Sequence, residues 1–317
     1  MLNNYQYFIA LAEELNISKA AERLFISHQC LSKYLKNLEQ EYTVTFFERT
    51  PRLRLTVAGQ AYLDMLRKVQ FLESNLESQL SDIRQIRKGL IRFGTTEGRF
   101  RILIPRLLSE FKRMYPEVKL EPHYATSNEL CERLARNELD MALINRRDKA
   151  NDQLEVLSLL QEKMYLVISD HLLAQYFPEE YPACKERFQD GVDLAIFAAR
   201  GVPFTLGYKG QNSRDILDDH LRIKGVTLNG VLEMTQQDIH FMLAARDFAA
   251  CFCWAMYLPS IQQANGGNVQ QLNVFPVKDL TATNQVVLVT PRGKILPAYG
   301  KDLVHLIQQT CHDFASL

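Results

Sequence analysis

Apolar residues in the opening stretch recur every three or four positions, the spacing of helices that bury one side. Tyr5, Phe8, Ile9 and Ala12 form the first stripe, in a helix predicted over about Asn3–Leu15. Asn16-Ile17 interrupts it, and Ser18 is placed to cap a second short helix ending near Leu24. The adjacent Ala20 and Ala21 permit the close helix approach that a tight helix-turn-helix needs. Ser27 then caps a third helix through Glu39, in which Leu31, Leu35 and Leu38 face a core. A further apolar row, Tyr62, Leu66, Val69, Leu76, Leu80 and Ile83, runs along one long helix predicted from Val57 to Arg87. Such a helix does not bury so broad a stripe alone, so it is expected to pair with its counterpart in another subunit.

Beyond Gly89 the pattern changes to alternating strands and helices. Leu90–Thr95, Val118–Tyr124 and Leu139–Ile144 read as strands. Helices are predicted over Ile102–Tyr115, with Pro105 in the first turn, and from the capping box Thr126-x-x-Glu129 to about Asn137. This βαβαβ order implies a parallel sheet flanked by helices. A second set follows, with strands at Met164–Ser169, Leu194–Ala198, Thr227–Glu233 and Ala249–Trp254, and helices near Ser213–Leu221 and Gln237–Ala245. A last strand, Gln285–Val289, and a helix over Tyr299–Phe314 are expected to return to the first lobe. The predicted organisation is a DNA-binding domain over 1–58, a linker helix over 59–88, and a two-lobed α/β domain over 89–317. Lobe I takes about 89–163 and 267–317, and lobe II about 164–266.

The polar side of the Ser27–Glu39 helix gives the first functional pointer. His28, Ser32 and Lys36 share a face, with Gln29 and Lys33 beside them and no carboxylate among them. A helix that enters a DNA major groove needs this division, because base edges offer donors and acceptors while phosphates repel acids. Gln29 is the best base-reading candidate, since an amide can bond adenine at two atoms. Lys33 and Lys36 are candidates for phosphate contacts, and Ser18 for one at a helix N-terminus. Arg49, Arg52 and Arg54, spaced around Pro51, read as a basic wing beside the recognition helix.

These residues together resemble the LysR-type transcriptional regulators. The resemblance rests on Ser18-x-Ala20-Ala21-x-x-Leu24, Ser27 to Glu39, Phe46-Phe47-x-Arg49 and Leu55-Thr56-x-Ala58-Gly59. It is clear over about residues 1–60 and weaker but continuous to the end. It implies a winged helix-turn-helix, a dimerising linker helix using Tyr62, Leu66, Val69, Leu76 and Ile83, and a periplasmic-binding-protein-like effector domain. It also implies double-stranded DNA with two-fold symmetry, a small-molecule effector and RNA polymerase as partners, and a homodimer or homotetramer. His28-Gln29-Cys30 stands where the family usually has glutamine, proline or serine, and alanine, so the operator is expected to differ there. Tyr42 is read as replacing a usual glycine before the wing.

In open α/β sheets ligands bind outside the carboxyl ends of the strands. That rule selects Thr95, Thr96, Ser127 and Arg146 in the first lobe, and Arg200, Phe204, Thr205 and Thr235 in the second. Hydroxyls at helix N-termini beside Arg146 or Arg200 suit an anion such as a carboxylate.

Composition narrows the alternatives. The 317 residues carry 37 Lys plus Arg against 37 Asp plus Glu, so nucleic-acid binding has to rest on a local patch. No signal peptide or membrane-spanning run is evident, and the six scattered cysteines have no framework spacing, which points to a reduced, cytoplasmic protein. Cys251-x-Cys253 reads as two buried thiols without metal partners, a redox-sensing regulator of the same architecture being the alternative. A solute-binding protein would share the two lobes, but residues 1–60 argue against it. No phosphate loop, nucleophile elbow or catalytic grouping is present, and neither an enzyme, a metal nor a cofactor is expected.

Overall fold

The computed structural model describes residues 4–50, 52–85, 87–146, 152–259, 261 and 272–315. The chain divides into two compact units, Met1–Ile86 and Arg87–Leu317.

The first unit is built from α1 (Tyr5–Glu14), α2 (Ile17–Arg23), α3 (His28–Tyr42), the wing strands β1 (Phe47–Glu48) and β2 (Arg54–Leu55), and α4 (Val57–Ile83). Phe8 is its centre, with Phe46, Phe47 and Tyr62 rings around it at 4.8–5.5 Å. Ala20 and Ala21 are buried where α2 meets its neighbours, and Leu31, Leu35 and Leu38 of α3 close the core. The cap of α2 is Asn16, not Ser18: its Oδ1 accepts the Lys19 amide at 3.1 Å. An Asx side chain immediately outside the first turn reaches the orphan amides, whereas Ser18 already lies within the helix. Ser27 caps α3 as expected, accepting from the Cys30 amide at 3.1 Å.

Two expectations for this unit need correction. The position that favours glycine is Thr43, not Tyr42: Thr43 closes α3 at φ 58, in the left-handed region. Tyr42 instead packs its ring against Phe46 and Tyr62. Tyr62 and Leu66 of the linker helix are buried in this unit's own core, because the first turns of α4 lie against α1 and the wing. The exposed part of the row is Leu76, Leu80 and Ile83, with the exposed Leu72 beside it and Val69 partly buried. Pro51 lies outside the described residues.

In the second unit, lobe I is a five-stranded sheet in the order β4-β3-β5-β12-β6. Its strands are β3 (Gly89–Thr95), β4 (Val118–Tyr124), β5 (Met141–Asn145), β6 (Leu154–Glu162) and β12 (Asn284–Pro291). β3 runs parallel to β4 and β5, while β12 is antiparallel to β5 and β6. Helices α5 (Glu97–Met114), α6 (Ser127–Ala135) and α12 (Ala298–Ala315) cover it. Phe93, Leu103, Leu107, Phe111, Leu288 and Ile307 mark its larger core. Helix α5 begins five residues earlier than the hydrophobic pattern predicts, so Pro105 sits on an exposed side inside the helix rather than in its first turn.

Lobe II centres on β7 (Met164–Ser169), flanked antiparallel by β10 (Cys251–Trp254) and β11 (Leu272–Pro276). A parallel pair, β8 (Pro203–Leu206) and β9 (Asn229–Glu233), bridges to it through Phe204 and Ala250. Helices α7 (Asp170–Tyr176), α8 (Cys184–Gln189), α9 (Leu194–Ala199), α10 (Asn212–Lys224) and α11 (Gln237–Ala244) complete the lobe. The segment predicted as a strand at 194–198 is α9: Asp193 caps it, and only Leu194 and Phe197 turn inward, at helical spacing. The expected lobe boundary at 266–267 falls outside the described residues. β11 pairs with β7, so the chain is still in lobe II at Pro276 and returns to lobe I at Asn284.

Candidate DNA-contacting face and effector cleft

The α3 face forms because three buried leucines fix the helix's rotation. His28, Gln29, Lys33 and Lys36 are left exposed, and Ser32 is half-buried. None of these five side chains has a hydrogen-bond or ion-pair partner among the described residues. Ser27 is spent on its cap, and Ser18 is exposed on α2. Phe25, in the turn before α3, has φ 55 and is 96% exposed.

Glu39 fixes the wing, a role the sequence pattern did not reveal. Its Oε1 accepts the amides of Phe46 at 2.8 Å and Phe47 at 3.3 Å, and its Oε2 lies 3.8 Å from Arg49. On the wing itself Arg54 pairs with Glu48 at 2.5 Å. Arg52 is exposed and unpaired among the described residues. Thr56 ties the wing to α4: its hydroxyl donates to the Thr45 carbonyl at 2.7 Å and accepts the Gly59 amide at 2.9 Å.

In the second unit, two hollows meet at Thr235 and Gln237. One, an open hollow of about 470 Å³ counting the solvent at its mouth, lies among Thr205, Gln211, Arg214, His240 and Trp254 of lobe II. The other, about 370 Å³, has Glu97, Gly98 and Arg101 of α5 on one wall and Asp238 and Phe241 of α11 on the other. Gly98 is required by close approach, since a Cβ there would lie 2.1 Å from the Tyr257 hydroxyl oxygen. Arg101 spans the mouth, pairing with Asp238 at 2.7 Å and Glu97 at 3.3 Å.

His240 has both ring nitrogens engaged. Nε2 lies 3.2 Å from the Met234 carbonyl, an acceptor, so it carries the proton. Nδ1 therefore accepts from the Thr205 hydroxyl at 2.7 Å. Burial holds the imidazole below the usual histidine range, favouring this neutral form.

A second tie between the lobes is a buried polar seam. Arg99, 2% exposed, donates to Glu162, 0% exposed, at 2.6 Å and to Asn145 Oδ1 at 2.5 Å. Asn284 donates to Glu162 at 2.7 Å and to Asn145 at 3.0 Å. Its own Oδ1 accepts from Asn212 Nδ2, at the start of α10, at 2.8 Å. The other Glu162 oxygen takes the Met256 amide at 3.2 Å. The bonded residues of this seam sit 46 to 139 positions apart, so only the folded chain reveals them as one group.

The predicted effector residues divide. Thr96, at the N-cap position of α5, accepts a long bond from Arg99 at 3.4 Å, while Thr95 is buried with its hydroxyl unpartnered. Ser127 is the buried first residue of α6. Thr205 and Thr235 line the hollows. Arg200 does not: it stacks on Phe177 at 4.3 Å, donates to the Tyr176 carbonyl at 2.8 Å and pairs with Glu180. Phe204 is core, stacked on Phe252 at 5.3 Å. Arg146 is exposed and bonded to Gln285. Because α9 replaces the expected strand, the strand end that was to place Arg200 does not exist there.

Cys184, Cys251, Cys253 and Cys311 are buried, with burial raising each thiol's pKa and Cys311 reaching about 12. Among the described residues no His, Cys, Asp and Glu group could hold a metal, and no helix is long and apolar enough to cross a membrane.

Residues 2–60 match the family model described as bacterial regulatory helix-turn-helix protein, lysR family, and residues 84–312 match the LysR substrate binding domain. The HTH-type transcriptional activator CmpR of Synechocystis sp. is 24% identical over 239 residues, covering 75% of this chain and 73% of that protein. The full-length structure of an OxyR variant from Pseudomonas aeruginosa superposes with a TM-score of 0.69 at 18% identity, over 96% of this chain and 92% of that one. Full-length CbnR in complex with its target DNA gives 0.56 at 18% identity, over 96% and 97%.

Proposed function

We propose how this chain, which belongs to the LysR family and is a DNA-binding transcriptional regulator with an effector-binding domain, couples a small molecule to an operator. Gln29 and His28 read base edges, while Lys33, Lys36 and Arg52 hold phosphates, with Arg49 and Arg54 joining when they leave their carboxylates. Two such faces address a two-fold operator. The exposed Leu76, Leu80 and Ile83 of the row, with Leu72 beside them, support pairing of two α4 helices, and a homotetramer is the assembly we favour. RNA polymerase is the partner at the promoter. CbnR was solved bound to its target DNA, which supports the same partner here.

The observation that carries the effector reading is the pair of hollows sharing Thr235 and Gln237, one of them walled by the lobe-to-lobe tie Arg101–Asp238. A ligand that prefers one spacing of the lobes shifts the population of the two arrangements, and with it the grip on DNA. The test is gel-shift and footprinting of the full chain on its own upstream DNA. Sequence-specific protection is expected, and its absence at low salt overturns the reading.

A further inference from the structure

Among the described residues, every charged group that lines the two hollows is already paired. Arg101 divides its guanidinium between Glu97 and Asp238. Arg214, 8% exposed, gives Nε to Asp218 at 2.7 Å and Nη1 to Glu233 and the Gly207 carbonyl. Asp218 and Glu233 stand outside the lining, so the walls themselves present two arginines against Glu97 and Asp238, with His240 held neutral by burial. The cations first expected to receive an anion, Arg146 and Arg200, are committed elsewhere.

From this we infer that the effector is an uncharged small molecule with an apolar body and groups that both donate and accept hydrogen bonds. The inference rests on the cleft reading above. A carboxylate entering the hollows gains no uncommitted cation; it has to lose its hydration and displace Glu97, Asp238 or Glu233 from an existing pair. A neutral ligand meets what the walls do offer. Leu206, Phe252 and Trp254 give apolar area, and the Gln211 amide donates or accepts according to its orientation. Gln237, whose Nε2 donates to the Phe252 carbonyl at 2.9 Å, keeps its Oε1 as an acceptor. Asp238 Oδ1 is buried without a hydrogen-bond partner, an acceptor that suits a ligand N–H or O–H. The smaller hollow, with a mostly apolar wall and a few polar groups, has the usual make-up of a small-molecule site, while the larger one is about equally polar and apolar.

The experiment is thermal unfolding and calorimetric titration of the full chain with skeleton-matched sets: aromatic and short aliphatic carboxylic acids, their primary amides and their alcohols. At least one neutral member should raise the unfolding midpoint, with its acid counterpart binding at least tenfold more weakly. Thr235→Trp, which fills the shared edge of both hollows, should abolish that shift. Acids binding more tightly than their amides, or no neutral member binding at all, overturns the inference. The same preparations are assayed for operator binding. Acid-selective binding that Thr235→Trp removes refutes the neutral class while keeping the cleft. Binding of either class that Thr235→Trp leaves intact refutes the cleft itself.

Discussion

The Arg99 guanidinium meets the Glu162 carboxylate at 2.6 Å with both side chains withdrawn from water. Their mutual attraction offsets the cost of burial only while both are present. Glu162→Ala strands the arginine and removes the acceptor for Asn284 and Met256. We expect a loss of about 3–5 kcal/mol, read as a fall in the unfolding midpoint of roughly 2–4 °C per kcal/mol in a unit of this size. Glu162→Gln keeps the shape and one acceptor and should cost less. A midpoint for Glu162→Ala within a degree of wild type would refute the seam's structural role.

Gly59 sets how closely α4 approaches the wing. A Cβ there would stand 2.1 Å from the Phe46 carbonyl oxygen, which is backbone and has no rotamer to yield. Gly59→Ala should therefore displace the wing from α4, lowering the stability of the first unit by about 1–3 kcal/mol, as overpacking does. Operator affinity should fall with it. Circular dichroism and gel-shift on the same sample check both, and wild-type values in each would contradict the close approach.

Gln29→Ala should relax base preference by roughly 1–3 kcal/mol per lost bidentate contact. Lys36→Ala should weaken all sequences alike and reduce the salt slope by about one. Titration against single-base operator variants at several salt concentrations separates the two. Equal discrimination by Gln29→Ala and wild type would remove Gln29 from base reading.

Histidines 123, 220 and 240 are all held below the usual range, in each case first by burial. Their folded pKa values lie under the unfolded value near 6.5. The stabilisation this represents is complete above that value and is lost as pH falls through the folded values. The unfolding midpoint of the second unit should accordingly drop between pH 7.5 and 5.5. His240→Gln should show a shallower drop; an equal drop would count against His240 as a contributor.

The thiols give a check on the redox alternative. Cys30 is exposed and Cys131 half-buried, while the other four are buried with raised pKa values. Thiolate, the reactive form, is scarce in such sites. Titration with a disulfide reagent should show fast reaction at Cys30, slower at Cys131, and release of the remaining four only on unfolding. Rapid native reaction at Cys251 or Cys253 would reopen a redox role.

What could be read from the sequence was what repeats locally. The helices carrying Leu31, Leu35 and Leu38, the Ser27 cap and the βαβαβ order are short-range patterns, and each stands in the structure. Segment 194–198 misled because a short apolar run lacks a period long enough to separate strand from helix; Asp193 decided it. β6 was missed because Val156 and Leu157 are both exposed, breaking the alternation that marks a strand. The strand-end rule places Thr235 just past β9, whereas Thr205 lies within β8 and not past the strand expected at 194–198. Arg99, Glu162, Asn212 and Asn284 have no sequence signal, since their chemistry arises from contacts across the fold.

The wing arginines carry one more consequence. Arg49 and Arg54 lean on Glu39 and Glu48 in the free protein, so little of their charge reaches beyond the surface. Random DNA approached from a distance feels a nearly balanced molecule and holds it briefly. On the proposed reading, a phosphate would come close enough to win an arginine from its carboxylate only once α3 is seated. On that reading the protein is expected to spend less time trapped on wrong sites, its search of a genome quickened by the very acids that blunt its grip at a distance.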